Sequence, residues 1–148
     1  MESKSTFDYL VFSPEPMPTN LKAKEGNWNL VYLFKGTIKC DKKDGSTSIG
    51  DGEITLFPPM PLNSYISIEN YKSDEAEGIC LTIYPSFMER LSANFPEFAD
   101  TIRHIHTINQ PLTYSSTKKK QILKELKEMG EVSNAERIPH VLNILCWL

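Results

Sequence analysis

The residues of this chain with the most distinctive chemistry are three histidines and three cysteines, and their spacing predicts neither a catalytic nor a metal site. Cys40, Cys80 and Cys146 are widely separated and lie close to apolar residues, so we interpret them as reduced thiols in the core. The sequence contains no CxxC pair and no cysteine–histidine cluster with zinc spacing. It also lacks the G-x-S-x-G nucleophile motif and a glycine-rich phosphate loop. We therefore expect a protein that is not an enzyme and needs no metal or other cofactor.

The histidines all lie in the second half of the chain. His104 and His106 form an H-x-H pair, but they follow a segment with helical periodicity, where residues two apart point to different sides. We interpret both as exposed or linker side chains. His140 follows Pro139 and has no evident partner in the sequence, so we expect a structural or exposed side chain there.

Length and charge limit the possible partners. A chain of 148 residues is long enough to form one domain with its own core. The net charge of −3 argues against the basic surface that sequence-independent binding to nucleic acid requires. The N-terminus lacks the apolar stretch of a signal peptide, and no window approaches the roughly 20 apolar residues of a membrane span. We expect a cytoplasmic protein that contacts no membrane.

Short runs of β-branched and aromatic residues, separated by Gly, Pro, Asn and Asp, predict an all-β unit up to about Tyr84. The run 28–35 (WNLVYLFK) places apolar side chains on both faces of a strand, which is typical of a central strand. Asp44-Gly45 predicts a tight hairpin, and Gly50 to Glu53 predicts a second turn. Further strands are predicted at 37–40, 54–57, 65–68 and 78–84.

The period changes to helical after Tyr84. Ser86 and Glu89 form a capping-box pattern, which predicts the start of a first helix. Segment 118–129 carries an apolar stripe opposite lysines and glutamates, and predicts a helix that Gly130 ends in a left-handed conformation.

The last helix has two possible starts. It begins either at Ser133, whose capping partner would be Glu136, or near Pro139 as a first-turn proline. Its end, 141–148 (VLNILCWL), is markedly apolar, whereas chain termini tend to be polar. We therefore expect the natural gene product to continue past Leu148.

The order of elements around the second turn resembles that of a known family. A strand, Gly36, a hairpin, the run 52–59 (GEITLFPP) and the run 61–65 (PLNSY) follow one another as in the N-terminal cupin domain of AraC-family bacterial transcription regulators. The resemblance implies a fold that is mainly β with C-terminal helices. It places a cupin-type jelly-roll β-barrel (double-stranded β-helix) in residues 1–84 and an α-helical dimerisation segment in residues 85–148.

Two departures from that pattern bear on metal binding. Asn63 stands where the family often has histidine, and Trp28, Asn29 and Leu30 stand where metal-binding cupins have His-x-His. The predicted barrel contains no histidine at all. The resemblance therefore implies a metal-free barrel.

The predicted barrel interior supplies the candidate ligand-binding residues. An aromatic stripe along the strand 28–35 either lines a pocket or fills the barrel as core. By resemblance, the ligand is a small-molecule effector such as a sugar, covered by an N-terminal arm of residues 1–24. The candidate ligand-binding residues are Trp28, Asn29, Tyr32, Phe34, Asn63 and Tyr65.

The helical stripe also has two interpretations. Ile122, Leu123, Leu126 and Met129 either pack on the barrel or pair with a second copy, and the resemblance favours pairing in a homodimer. It further implies that DNA is bound only through a helix-turn-helix domain beyond Leu148. The alternative from another class is a stand-alone metal-free cupin, acting as a small-molecule binding protein or an isomerase.

Overall fold

The computed structural model describes residues 6–12, 26–42, 45–59, 67–70 and 77–148. The strands in these residues are β1 (Phe7–Phe12), β2 (Trp28–Lys35), β3 (Ile38–Lys42), β4 (Gly45–Ile49), β5 (Ile54–Phe57), β6 (Ser67–Asn70), β7 (Glu77–Ile83) and β8 (Leu112–Tyr114). The helices are α1 (Pro85–Asn94), α2 (Ala99–His106), α3 (Ser116–Met129) and α4 (Asn134–Trp147), with a 3-10 turn at Pro96–Phe98.

The strands form two antiparallel sheets. The larger sheet has the order β1-β7-β2-β5-β8, and the smaller has the order β4-β3-β6. As its two apolar faces predict, β2 is central and pairs with β7 on one side and β5 on the other. Both faces of the larger sheet therefore carry apolar side chains that must be shielded from water.

The predicted strands agree closely with the observed ones. β2 and β5 have the predicted bounds, and β3 and β7 are shifted by one or two residues. The strand predicted at 65–68 corresponds to β6, although 65 and 66 lie outside the described residues. The β3–β4 hairpin is confirmed, but Lys42 pairs with Gly45. Gly45 therefore already belongs to β4, so Asp44-Gly45 is not the central pair of the turn. The connecting residues 43–44 lie outside the described residues.

The predicted turn at 50–53 is confirmed and is tied to the end of β2. Gly52 has a φ of +75°, which favours glycine, and its amide donates to the Leu33 carbonyl at 2.8 Å. The Asp51 carboxylate accepts a hydrogen bond from the Gly36 amide at 2.5 Å, and Gly36 itself has a φ of +93°. These contacts fix how the chain leaves β2 and enters β5.

The predicted caps of two helices are wrong. α1 begins at Pro85, whose fixed φ suits a first helical position, so Ser86 lies inside the helix and forms no capping box. Gly130 is right-handed, with φ −69° and ψ −14°, because α3 ends in a tighter turn in which its amide donates to the Lys127 carbonyl at 3.2 Å. The close approach of Tyr9 favours glycine there, since an added Cβ would lie 3.1 Å from the Tyr9 hydroxyl.

The last helix takes the earlier of its two predicted starts. Ser133 is the N-cap of α4, its hydroxyl donates to Glu136 at 2.8 Å, and Pro139 lies inside the helix at an exposed position. The apolar residues that follow are explained by burial of Val141, Ile144, Leu145 and Leu148.

The segment predicted to be helical also contains a strand. β8 pairs antiparallel with β5, and Ile54 lies opposite Tyr114. Three residues are too few to show a period, so the sequence pattern missed it.

One hydrophobic core joins the larger sheet to the helices. On the outer face of this sheet, alternate residues Trp28, Leu30 and Tyr32 of β2 belong to a buried cluster that includes residues of all four helices. The register places Ile79, Leu81 and Ile83 of β7 on the same face. We call the opposite face, which carries Asn29, Val31 and Leu33, the inner face. It is buried as well.

Gly78 in β7 lies against the backbone of β2 with no room for a side chain, and replacing it should destabilise the fold. A Cβ at this position would lie 2.1 Å from the Tyr32 carbonyl oxygen and 3.0 Å from Phe12. We expect Gly78→Ala to lower the free energy of unfolding by about 3 kcal/mol, measured by urea denaturation. Gly52→Ala is the matched control, because nothing lies within 4 Å of its Cβ and only the positive φ is strained. It should cost about 1 kcal/mol. Equal effects of the two substitutions would contradict the register of β2 and β7.

Candidate functional site

A row of polar side chains crosses the inner face of the larger sheet. The register aligns Asp8 of β1 with Thr82 of β7, and Thr82 with Asn29 of β2. The Thr82 hydroxyl donates to the Asn29 side-chain oxygen at 2.7 Å, and both residues are at most 3% exposed. Buried polar groups of this kind are retained only when hydrogen-bonded. We call Asp8, Thr82 and Asn29 the polar row.

Tyr84 holds the Asp8 end of the polar row. Its hydroxyl donates to the Asp8 carboxylate, and this hydrogen bond is the main reason that the pKa of Tyr84 rises to about 12. Burial and the charge of Asp8 raise the pKa of Tyr84 further. The tyrosine therefore stays protonated near neutral pH and remains a hydrogen-bond donor.

Cys80 lies beside the polar row on the same face. Its sulfur is 3.9 Å from the Asn29 side-chain oxygen and 3.8 Å from the Thr82 hydroxyl. Burial is the main cause that raises the pKa of the Cys80 thiol to about 12, and the Thr82 hydrogen bond opposes it only in part. Because the thiolate is the reactive form, Cys80 is unsuited to nucleophilic chemistry.

The rest of the inner face is mostly apolar. Val31, Leu33 and Phe57 are all at most 2% exposed. Towards the β8 edge, the Thr55 and Thr113 hydroxyls share a hydrogen bond of 2.8 Å, and Thr113 is exposed. Apolar side chains with a few fixed hydroxyl and amide groups are the composition typical of surfaces that bind neutral small molecules.

The predicted ligand-binding residues divide between the two faces. Asn29 lies on the inner face, but Trp28 and Tyr32 do not, because they pack in the core between the sheet and the helices. For these two rings, burial in that core agrees with the interpretation of the stripe as core rather than as the lining of a pocket. Phe34 is 43% exposed, and its ring makes an edge contact with Tyr32 at 5.2 Å between centroids. Asn63 and Tyr65 lie outside the described residues.

Trp28 instead positions α2. Its ring makes an edge contact with the ring of His106 at 5.8 Å, and the Nδ1 atom of His106 lies 2.8 Å from the Ile102 carbonyl. His104 and His106 are both exposed, as the helical periodicity predicted. They do not face a common point.

The apolar stripe of α3 packs within this chain. Ile122, Leu126 and Met129 are fully buried in the core, and Leu123 is partly buried against it. This is the first of the two interpretations of the stripe. A second copy could reach only Leu123 without unpacking the core, so pairing through all four residues is excluded by their burial.

β1 connects the inner face to the helices. Asp8 faces the polar row, while the next residue, Tyr9, faces outwards and its hydroxyl donates to the Leu126 carbonyl of α3 at 2.8 Å. The Arg137 guanidinium of α4 lies 4.6 Å from the centre of the Tyr9 ring, and its Nε donates to the Met129 carbonyl at 2.8 Å. Burial raises the pKa of Tyr9, and Arg137 partly offsets that rise.

Several residues of the site have no recognisable signal in the sequence. Asp8 and Thr82 become recognisable only once the register pairs strands that are far apart in the chain, whereas Cys80 is buried as predicted. His140 was predicted to have no evident partner, yet its Nδ1 lies 2.5 Å from Glu125 and 3.7 Å from Glu128. The signal that was available is the three-residue spacing of the two glutamates, which places them on one side of α3.

Comparison with solved structures gives fold similarity at low sequence identity. The apo form of a ToxT variant from Vibrio cholerae matches with a TM-score of 0.52 and 12% identity, over 99% of this chain and 55% of that one. CuxR, an AraC-like transcriptional activator, matches with a TM-score of 0.51 and 15% identity, over 95% of this chain and 46% of that one. A Cupin 2 conserved barrel domain protein from Salinispora arenicola matches with a TM-score of 0.43 and 11% identity, over 61% and 73%. No family model and no curated protein matches the sequence.

These similarities concern the fold. The predicted class, an antiparallel β structure followed by C-terminal helices, is confirmed, and cupin proteins are among the matches. The chain spans about half the length of ToxT and of CuxR. Among the described residues, no helix is both long and apolar enough to cross a membrane.

The burial of Cys80 predicts selective thiol labelling. Burial raises the pKa of the Cys80 thiol to about 12, so little of it is ionised at pH 8. Cys146 is exposed, so the prediction that it lies in the core is wrong. We expect iodoacetamide to modify Cys146 at least about 100-fold faster than Cys80 in the native protein. Peptide mapping by mass spectrometry reports each cysteine separately, and denaturation should make the rates comparable. Equal native rates would contradict the closed inner face.

Proposed function

We propose that this chain is the effector-sensing and dimerisation domain of an AraC-type transcription regulator that acts in the cytoplasm. The observation that carries the proposal is the joining of a β structure to C-terminal helices through one core, in a chain whose fold is similar to that of CuxR over 95% of its length. The resemblance of the run 52–65 to the family supports the same assignment. DNA binding belongs, in this proposal, to a further domain beyond this chain, and no catalytic role is assigned.

The proposed effector site is the inner face around the polar row. Asn29 and Thr82 offer an amide and a hydroxyl among apolar neighbours, which fits a small neutral ligand such as a sugar. Aromatic stacking by Trp28 and Tyr32 plays no role in this proposal, because both rings are buried in the core shared with the helices.

The proposed mechanism is a shift between arrangements of sheet and helices. A ligand that replaces the hydrogen bond between Thr82 and Asn29 would alter the polar row, which includes Asp8 of β1. The adjacent Tyr9 is hydrogen-bonded to α3 and stacked by Arg137 of α4. Ligand binding changes the helices only to the extent that it favours one arrangement over the other.

The effector site is tested by a thermal-shift screen of sugars and metabolites on the whole chain. We expect a hit whose affinity falls at least about tenfold in Asn29→Ala, equal to about 1.4 kcal/mol, because a buried hydrogen bond to the ligand is lost. Trp28→Phe is the control on the opposite face and should keep the affinity. Each variant is compared with its own ligand-free melting temperature. A hit lost in Trp28→Phe but kept in Asn29→Ala would contradict the site, and silence across the library would contradict sensing.

The dimer is tested by analytical ultracentrifugation. We expect a homodimer at high micromolar concentration, with α3 contributing Leu123 to a self-complementary interface. A charge in that interface, as in Leu123→Glu, should raise the dissociation constant at least about tenfold. Ile138→Glu on α4, where the side chain is 43% exposed, is the matched control. A monomer at this concentration would refute dimerisation, and equal effects of the two variants would refute the α3 interface.

A further inference from the structure

A histidine and two carboxylates come together between α3 and α4, away from the inner face. Glu125 and Glu128 lie on α3, His140 lies on α4, and one ligand atom from each lies within 4.8 Å of the others. Two helices of one hairpin thus supply three metal-ligating side chains to a single point. Neither the proposed effector site nor the proposed dimer interface uses these residues.

The cluster is partly buried and still reachable from solvent. The side chains of Glu125 and His140 are 13% and 19% exposed, and that of Glu128 is 43% exposed. Among the described residues, the ion-pair partner of both carboxylates is His140. A neutral imidazole leaves two negative charges close together, and a divalent cation would balance both.

A neighbouring residue orients the innermost ligand. The Asn143 amide donates to Glu125 Oε1 at 3.2 Å, which leaves Glu125 Oε2 directed at His140. Outer partners of this kind hold metal ligands in place. Asn143 lies one helical turn beyond His140, so α4 supplies both the ligand and its support.

The distances between the ligand atoms would accommodate an ion of the size of zinc if one of them increased slightly. Ligand atoms around tetrahedral zinc are about 3.3 Å apart, given bonds of about 2.0–2.1 Å. The separation of 3.7 Å between His140 Nδ1 and Glu128 Oε2 is close to that value, whereas Nδ1 lies 2.5 Å from Glu125 Oε2. An ion entering here replaces the His140–Glu125 hydrogen bond, widens that gap by about 0.8 Å, and requires the imidazole proton to be on Nε2.

We propose that Glu125, Glu128 and His140 form a zinc site that links α3 to α4, with a water molecule as the fourth ligand. Imidazole and carboxylate ligands suit zinc. The bound ion adds a cross-link between the two helices at the end of the chain. This site is independent of the proposed function, because it uses neither the polar row nor Leu123.

Isothermal titration of the whole chain with zinc chloride tests the site. All proteins carry Cys146→Ser, which removes an exposed thiol as a competing ligand. We expect one zinc ion per chain, with affinity reduced at least about 100-fold in His140→Ala and in Glu128→Gln, and by about 10- to 100-fold in Asn143→Ala. His104→Ala and Glu131→Gln are matched controls, since both residues are exposed and lie outside the cluster. They should bind zinc as the parent does.

Circular dichroism checks that each variant is folded. If His140→Ala unfolds, Glu128→Gln still tests the site. Glu128 is the most exposed of the three ligands, so its replacement should leave the protein folded. The absence of zinc binding at about 100 µM in the parent would overturn the proposal, as would stoichiometric binding that survives both Glu128→Gln and His140→Ala. Binding lost equally in His104→Ala would place the ion elsewhere and overturn it too.

Discussion

The structure depends on the burial of one sheet face against the helices. Trp28, Leu30 and Tyr32 of the central strand, the matching residues of β7, and the apolar stripes of all four helices form a single cluster. Each large apolar side chain removed from water in this way contributes about 1.5–3 kcal/mol. Neither partner could keep its apolar surface out of water alone. The change from strands to helices at Tyr84 is therefore a change of secondary structure within one core.

The strand pattern could be predicted from the sequence, but the roles of its two faces could not. The run 28–35 is apolar on both sides, and alternation alone assigns Trp28 and Asn29 to opposite faces without saying which faces the helices. The aromatic content of one face made it look like a ligand pocket. The apolar sides of the helices need a large apolar surface to pack against, and the aromatic face of β2 supplies it. That face is therefore part of the core.

The residues of the candidate site show the limits of local pattern. Asn29 was found from sequence, whereas Thr82 and Asp8 were not, because their relation to Asn29 exists only through pairing of β2, β7 and β1. The partners of His140 depend in the same way on how α3 packs on α4. A prediction from one residue can also be right about the position and wrong about the cause. Gly130 ends α3 as predicted, but its φ is negative. The feature that favours glycine there is the close approach of the Tyr9 hydroxyl.

β1 joins the two faces through consecutive residues. Consecutive residues of a strand point to opposite faces, so Asp8 lies at the edge of the inner face, where it accepts from Tyr84, while Tyr9 contacts α3. A displacement of β1 that alters one contact must alter the other, since the two side chains share one backbone. Among the residues that the structure describes, β1 pairs only with β7, so it has fewer backbone hydrogen bonds to lose than β2. In the proposed sensing role, moving β1 would therefore cost less than moving β2, and the Tyr9–Leu126 hydrogen bond is the contact that would carry that movement to the helices.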